Sequence, residues 1–113
     1  MFRLMLGDAE LGRSGLDAID GGMAIASGPF TPSPGYAVVE PLFRKLSDAI
    51  EARSVPDELY AARDSLDLRV VGLGGVQVRT EFVTIYDFGE GLDRELEVKL
   101  TDVDEWRRVR NAG

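Results

Sequence analysis

Residues 22–53 read GMAIASGPFTPSPGYAVVEPLFRKLSDAIEAR and contain the longest amphipathic helical pattern of the chain. Apolar residues recur there at steps of three and four, which places them on one face of a helix. They are Tyr36, Val39, Phe43, Leu46 and Ile50. Ser33 and Pro34 form an N-cap and first-turn pair, whereas Pro41 interrupts the backbone hydrogen bonds. We therefore predict a long, kinked or two-part helix over 34–53, with one buried stripe.

A short strand and a rigid corner are predicted before this helix. Residues 23–27 alternate between larger and small side chains, as a strand with two different faces does. Residues 28–35 hold three prolines and two glycines, which a helix or a central strand tolerates poorly, so we expect a corner. Phe30 and Tyr36 could line a pocket at this corner, although aromatic residues at such spacing more often belong to a core.

The rest of the chain predicts further strands and two shorter helices. Alternating apolar residues indicate strands near 2–6, 11–14, 68–70, 76–78, 82–88 and 96–100. Pro56 and two following acids indicate a second helix over 56–66. The run Thr101-Asp102-Val103-Asp104 resembles a capping box and predicts a short helix over 102–110, with Trp106 in the core. With 113 residues and 44% hydrophobic content, we predict one α+β domain over 1–113, a mostly antiparallel sheet packed against the long helix.

Residues 70–75, VVGLGG, resemble part of a dinucleotide-binding fingerprint. Gln77 occupies the position of the third glycine, and the residues after it favour a strand over the helix that the fingerprint requires. We therefore predict a hairpin turn over 72–75 and no cofactor.

The absence of two residue types limits the chemistry. The chain has no histidine and no cysteine, which excludes the usual catalytic triads and the ordinary zinc sites. The acids between 87 and 95 lack the spacing of a calcium-binding loop, so no metal is predicted. Because no residue can be assigned a catalytic role, an enzyme is the less favoured class.

The charge of the chain indicates what kind of partner it could take. The formal net charge is −7, from 20 acidic and 13 basic residues, which disfavours nucleic acid and anionic membranes and leaves a basic protein as the easier partner. The opening residues MFRLML are too short for a signal peptide, and no segment reaches membrane-spanning length. We expect a cytoplasmic protein, and the oligomeric state stays open.

The acidic residues are concentrated between 87 and 105, where eight acidic and two basic residues give a local formal charge of −6. Either this segment serves solubility and protects a sheet edge, or it is a docking surface like those of nuclease inhibitors and immunity proteins. We favour a non-enzymatic protein-binding domain of this second kind. The predicted partner-binding residues are Asp87, Glu90, Asp93, Glu95 and Glu97, with the flanking aromatics Tyr86 and Phe88. Two alternatives are a small enzyme that uses carboxylates near the Gly/Pro-rich corner, and a ligand-binding or structural accessory module.

The pattern G-M-A-x-A-x-G-x-F-x-P-x-x-x-Y-x-x-V-x-P-L-F over residues 22–43 resembles one that recurs in small uncharacterised bacterial proteins. The C-terminal halves of those proteins also end in an acidic strand and a D-E-W helix, which here is Asp104-Glu105-Trp106. The resemblance implies a compact, self-contained bacterial domain. It implies no activity.

Overall fold

The computed structural model describes residues 1–112, in which eight strands and three α-helices form an α+β fold. The strands are β1 Phe2–Leu6, β2 Ala9–Ser14, β3 Ala18–Asp20, β4 Ile25–Pro32, β5 Leu68–Gly72, β6 Gln77–Val78, β7 Thr80–Tyr86 and β8 Arg94–Leu100. The helices are α1 Glu40–Glu51, α2 Asp57–Asp64 and α3 Val103–Ala112, and a 3₁₀ helix, Pro34–Val38, precedes α1. None of the helices in this part of the chain is long and apolar enough to cross a membrane.

The strands form one sheet in the order β6-β5-β1-β2-β4-β8-β7, and β3 pairs with β4. Every pairing is antiparallel, which confirms the predicted sheet type. Strands β5 and β8 of the second half pair with β1 and β4 of the first half, so the halves cannot form separate units. Because β7 at one edge contacts β5 near the other, the sheet is strongly curved around a single core.

The segment predicted as a long, kinked or two-part helix over 34–53 has two parts. The 3₁₀ helix ends at Val38, and α1 begins at Glu40. Pro41 falls in the first turn of α1, where its missing N–H has no intrahelical partner to lose. Ser33 occupies the N-cap position of the 3₁₀ helix and Pro34 its first turn, as predicted. The Ser33 hydroxyl makes no cap bond, however, and donates to Glu10.

The apolar stripe of this segment is buried as predicted. Phe43 and Leu46 are fully enclosed, Tyr36 and Val39 are almost so, and Ile50 is partly buried against them. Both pieces of the segment therefore contribute their apolar face to the core, although they are different kinds of helix.

Helix α1 also covers the free edge of β7. The Ser47 hydroxyl, fully buried on α1, accepts the Asp87 N–H at 2.9 Å and donates to the Phe43 carbonyl at 2.7 Å. It also lies 3.3 Å from the Ile85 carbonyl of β7. An uncovered strand edge is a template for pairing with another chain, so this contact protects the edge and fixes where β7 ends.

The corner predicted over 28–35 is wrong, because residues 28–32 belong to strand β4. The residues through Pro32 continue a strand that pairs with β8 on one side and with β3 and β2 on the other. Pro29 fits because it falls between the pairing to β3 and the pairing to β2, where its missing N–H is tolerated. The predicted start is also wrong, since Met23 lies in a turn and is 56% exposed. The small residue Ala26 faces the core.

Glycine at position 12 permits the close approach of β2 and β4. A Cβ built on Gly12 would lie 2.6 Å from the Thr31 carbonyl oxygen and would overlap the Phe30 ring. We expect Gly12→Ala to lower the free energy of unfolding by about 1–3 kcal/mol because the strands would have to separate. Gly74→Ala is the control, since a Cβ there meets nothing within 4 Å. Equal urea midpoints for the two variants would show that the close approach is not required.

Helix α3 closes one end of the curved sheet. Trp106 is 1% exposed in the core, and Val109 packs over Gly72 at the end of β5. Asp102, not Thr101, caps the helix by accepting the N–H groups of residues 104 and 105 at 2.9 and 3.3 Å. Helix α3 begins one residue later and ends two residues later than the predicted 102–110, and α2 is shorter than the predicted 56–66.

The residues 72–75 form the predicted turn. β5 and β6 are antiparallel partners, and the Gly75 N–H donates to the Gly72 carbonyl at 2.9 Å. Gly75 has a φ of +91°, a conformation that glycine adopts without strain. A tight hairpin of this kind leaves no helix N-terminus to hold a pyrophosphate, so no nucleotide site is expected there.

Candidate functional site

A fully buried carboxylate lies at the end of the sheet opposite α3. Asp87 directly follows β7 and is 0% exposed. Four groups donate to it: the Tyr36 hydroxyl at 2.7 Å and Arg94 Nε at 2.9 Å to Oδ2, and the Gly89 N–H at 3.0 Å and Arg44 Nε at 3.4 Å to Oδ1. An aspartate in this position is paired on both oxygens, which is what a buried charge requires.

A second carboxylate completes the charge balance around Asp87. Glu40 Oε2 lies 3.3 Å from Arg94 Nη2 and 3.5 Å from Arg44 Nη2. The Arg94 guanidinium also lies 5.4 Å from the centroid of the Tyr36 ring, a cation–π contact. We call Tyr36, Glu40, Arg44, Asp87 and Arg94 the Asp87 cluster. Its two negative and two positive charges cancel.

The hydrogen bonds in this cluster fix the protonation states. Burial raises the pKa of Asp87, but the bonds from Tyr36, Arg94 and the Gly89 N–H outweigh burial and hold that pKa below its usual range. Burial and the adjacent Asp87 carboxylate raise the pKa of Tyr36. Asp87 is therefore ionised and Tyr36 protonated near neutral pH, so neither is matched to proton transfer there. The cluster is therefore suited to holding neighbouring segments of the chain together.

Asp87 was predicted to be a docking residue, but its side chain is buried and not available to a partner. In β7 the side chains of Val83 and Ile85 face the core, and Asp87 continues that alternation. Arg94 likewise shares the inward side of β8 with Leu96. The period-two pattern of the sequence already contains this signal, but counting acids along the segment without regard to strand face hides it.

The other predicted acids are at least partly exposed. Glu90, Asp93 and Glu95 are exposed and Glu97 is half-buried, along β8 and the 87–93 connection that precedes it. We call these four residues the acidic face. Within residues 1–112, none of them forms an ion pair with a lysine or arginine. The face therefore carries three exposed carboxylates and one half-buried carboxylate, none of them in an ion pair with a described residue.

Three basic side chains of α1 and β8 bind groups other than these acids. Arg94 and Arg44 bind the buried Asp87 and Glu40. Lys99 shares the outward side of β8 with the acids, but its ammonium donates to the Met23 carbonyl. The lack of counter-charge on the acidic face is thus a consequence of how the interior is paired.

Aromatic and apolar side chains flank the acidic face. Tyr86 pairs with Glu95 across β7 and β8, and burial together with the charge of Glu97 raises the pKa of Tyr86 to about 12. Phe88 and Leu92, in the 87–93 connection, are 43% and 56% exposed. Protein interfaces are enriched in aromatic side chains and keep charged residues mainly at a polar rim.

The predicted pocket of Phe30 and Tyr36 is not formed. Their rings pack edge to face with centroids 5.5 Å apart, and both residues are at most 4% exposed. Phe30 borders an open cleft of about 460 Å³, together with Arg94 and the acids on either side of it in sequence, but Tyr36 does not line this cleft. Both aromatics therefore belong to the core.

No protein-family model, curated protein or solved structure matches this chain. The resemblance of residues 22–43 to small bacterial proteins accordingly stays a prediction. The Asp87 cluster and the acidic face are the two groups of residues from which a function can be argued.

Proposed function

We propose that the chain is a non-enzymatic protein-binding domain, of the inhibitor or immunity type, that docks a basic protein on its acidic face. The observation that carries the proposal is the distribution of charge at this end of the sheet. The four carboxylates lie along β8 and the connection before it without an ion pair in residues 1–112, while Arg44 and Arg94 pair with Asp87 and Glu40. A basic partner would supply the missing counter-charge.

The physical effect of such a face is mainly on association. An array of like charges steers an oppositely charged partner toward it and raises the association rate more than the affinity. The affinity itself would come from desolvated apolar contacts, for which Phe88 and Leu92 are available. The charges and the apolar side chains thus have separate roles in the same surface.

The Asp87 cluster supports this role by holding the surface in shape. The cluster binds the 87–93 connection at both ends, through the Gly89 N–H and through Arg94. Residues that are held in the bound geometry before association lose less conformational freedom when the complex forms. We infer that the cluster positions the connection that carries Glu90 and Asp93.

The alternative of a small enzyme has less support. Of the carboxylates near the Gly/Pro-rich segment, Asp87 and Glu40 are bound by arginines. Asp93 and Glu95 line the open cleft beside Phe30. Ionised, ion-paired carboxylates are poor general acids, since catalysis needs a pKa near the working pH. A ligand-binding or structural accessory module is the remaining alternative, and the experiment below also separates it from docking.

Reversing the charge of the face should abolish recovery of a partner. We expect wild-type protein to recover a basic protein from its native cells at low salt, and Glu95→Lys with Glu97→Lys to recover at least tenfold less because the steering field is reversed. Recovery by the wild type should also fall at high salt, as the Debye length shortens below about 8 Å. The measurement is quantitative pull-down followed by association rates with the purified partner.

A matched control separates local from global charge effects. Asp48→Lys with Glu51→Lys changes the net charge by the same amount on α1, where both residues are exposed and form no ion pair within the described chain. This variant should keep the partner. If the association rate changes neither with charge reversal at residues 95 and 97 nor with the salt concentration, the acidic face serves solubility only.

A further inference from the structure

A cleft of about 370 Å³ lies between α2 and the outward side of β7 and β8, next to the acidic face. Its chemically important lining residues are Tyr60, Arg63, Phe82, Thr84, Tyr86 and Glu97. The volume is at the lower end of the range of about 300–1,000 Å³ for sites that take small ligands. The cleft is therefore of a size for one side chain, not for a large molecule.

The aromatic walls of this cleft already bind one guanidinium. Arg63 stacks on Tyr60 and Phe82, with its Cζ 4.9 and 4.7 Å from the two ring centroids. It donates to the Thr84 hydroxyl at 3.0 Å and pairs with Asp64 at 2.9 Å. Arg63 forms its ion pair with Asp64 and none with the other acid that lines the cleft.

That other acid is Glu97, which has no ion pair within residues 1–112. Its carboxylate acts on the Tyr86 hydroxyl, which burial and this charge keep protonated by raising its pKa to about 12. Tyr60, 37% exposed, stands at the α2 side of the opening. A carboxylate without an ion pair thus lines the same open cleft as two tyrosines.

We propose that this cleft receives one arginine side chain of the basic partner, with Glu97 as its counter-charge and the rings of Tyr60 and Tyr86 as its walls. The inference rests on the proposed docking function and deepens it by naming the group that is recognised. A guanidinium is favoured over an ammonium because it is planar, stacks on aromatic rings and forms two parallel bonds to a carboxylate. The stacking of Arg63 on Tyr60 and Phe82 shows that a guanidinium fits against the Tyr60 wall of this cleft.

The test is a titration of the isotope-labelled protein with N-acetyl-arginine amide, followed by nuclear magnetic resonance. N-acetyl-citrulline amide, which has nearly the same shape and no charge, is the matched probe. We expect saturable shifts of the Tyr60 and Tyr86 signals with the arginine compound, and at least tenfold weaker binding of the citrulline compound. Tyr60→Ala should also weaken binding of the arginine compound, because one wall is removed.

Two carboxylate variants make the site assignment specific. Glu97→Gln should weaken binding of the arginine compound at least tenfold, whereas Glu81→Gln, an exposed residue on β7 with the same charge change, should not. Absence of saturable shifts, equal binding of the citrulline compound, or equal effects of the two variants would overturn the inference.

These results are distinguishable from failure of the docking proposal. If charge reversal at residues 95 and 97 abolishes partner recovery but the arginine compound leaves the cleft signals unchanged, the acidic face docks the partner and the arginine site is refuted. If the arginine compound binds in the cleft but charge reversal at residues 95 and 97 leaves partner recovery unchanged, the cleft is a cation site and the docking proposal is refuted.

Discussion

Replacing Phe43 with alanine should lower the free energy of unfolding by about 3–5 kcal/mol, the usual cost of removing a large aromatic side chain from a core. Phe43 is 0% exposed on α1 and belongs to the same cluster as the inward residues of the sheet. Its loss would leave a cavity between α1 and β7, because α1 is also held to that strand through Ser47 and has little freedom to move inward. Urea denaturation followed by circular dichroism gives the measurement.

The control for Phe43 is Val38→Ala in the preceding 3₁₀ helix. Val38 is 77% exposed, so removing its methyl groups should change the unfolding free energy by no more than about 0.5 kcal/mol. Comparable losses for the two variants would mean that α1 does not pack as the structure shows. In that case the central role of residues 22–53 would be wrong.

Replacing Asp87 with asparagine should cost about 3–5 kcal/mol near neutral pH, since it removes one partner from a buried ion pair. The arginine that donates to Oδ2, Arg94, has only 15% of its side chain exposed and would keep its positive charge with Glu40 as its remaining partner. The Tyr36 hydroxyl would keep an acceptor oxygen but lose the negative charge. Asp93→Asn, at an exposed position without an ion pair in residues 1–112, should change stability by no more than about 0.5 kcal/mol.

The effect of this variant should depend on pH in one direction. The pKa of Asp87 in the folded protein lies below its ordinary value of 3.8, so ionisation of Asp87 stabilises the fold fully above that value. The stabilisation is lost as the pH falls through the folded pKa. The difference between wild type and Asp87→Asn should therefore be constant from about pH 7 to about pH 5 and shrink below about pH 4. A difference that does not shrink on acidification would show that the charge of Asp87 is not what stabilises the cluster.

The sequence by itself determined the features that follow from local periodicity. The stripe that contains Phe43 follows a helical repeat, and the turn at residues 72–75 follows from glycines between two apolar alternations. Local periodicity also predicts that Trp106 lies in the core and that Glu95 points outward. In each case residues a few positions apart decide which side is apolar, so no knowledge of the rest of the chain is needed.

The tertiary structure decided how strands far apart in sequence pair and what they enclose. β4 became a central strand despite its prolines because β3 and β2 pair with different parts of it and leave Pro29 between them. Tyr36 and Asp87, 51 positions apart, meet only after β8 has paired with β4 and α1 has covered β7. The burial of one carboxylate then draws the neighbouring arginines inward, so the uncompensated charge of the acidic face is a property of these long-range contacts. The composition gives the number of charged residues, but only the tertiary structure determines which of them form ion pairs.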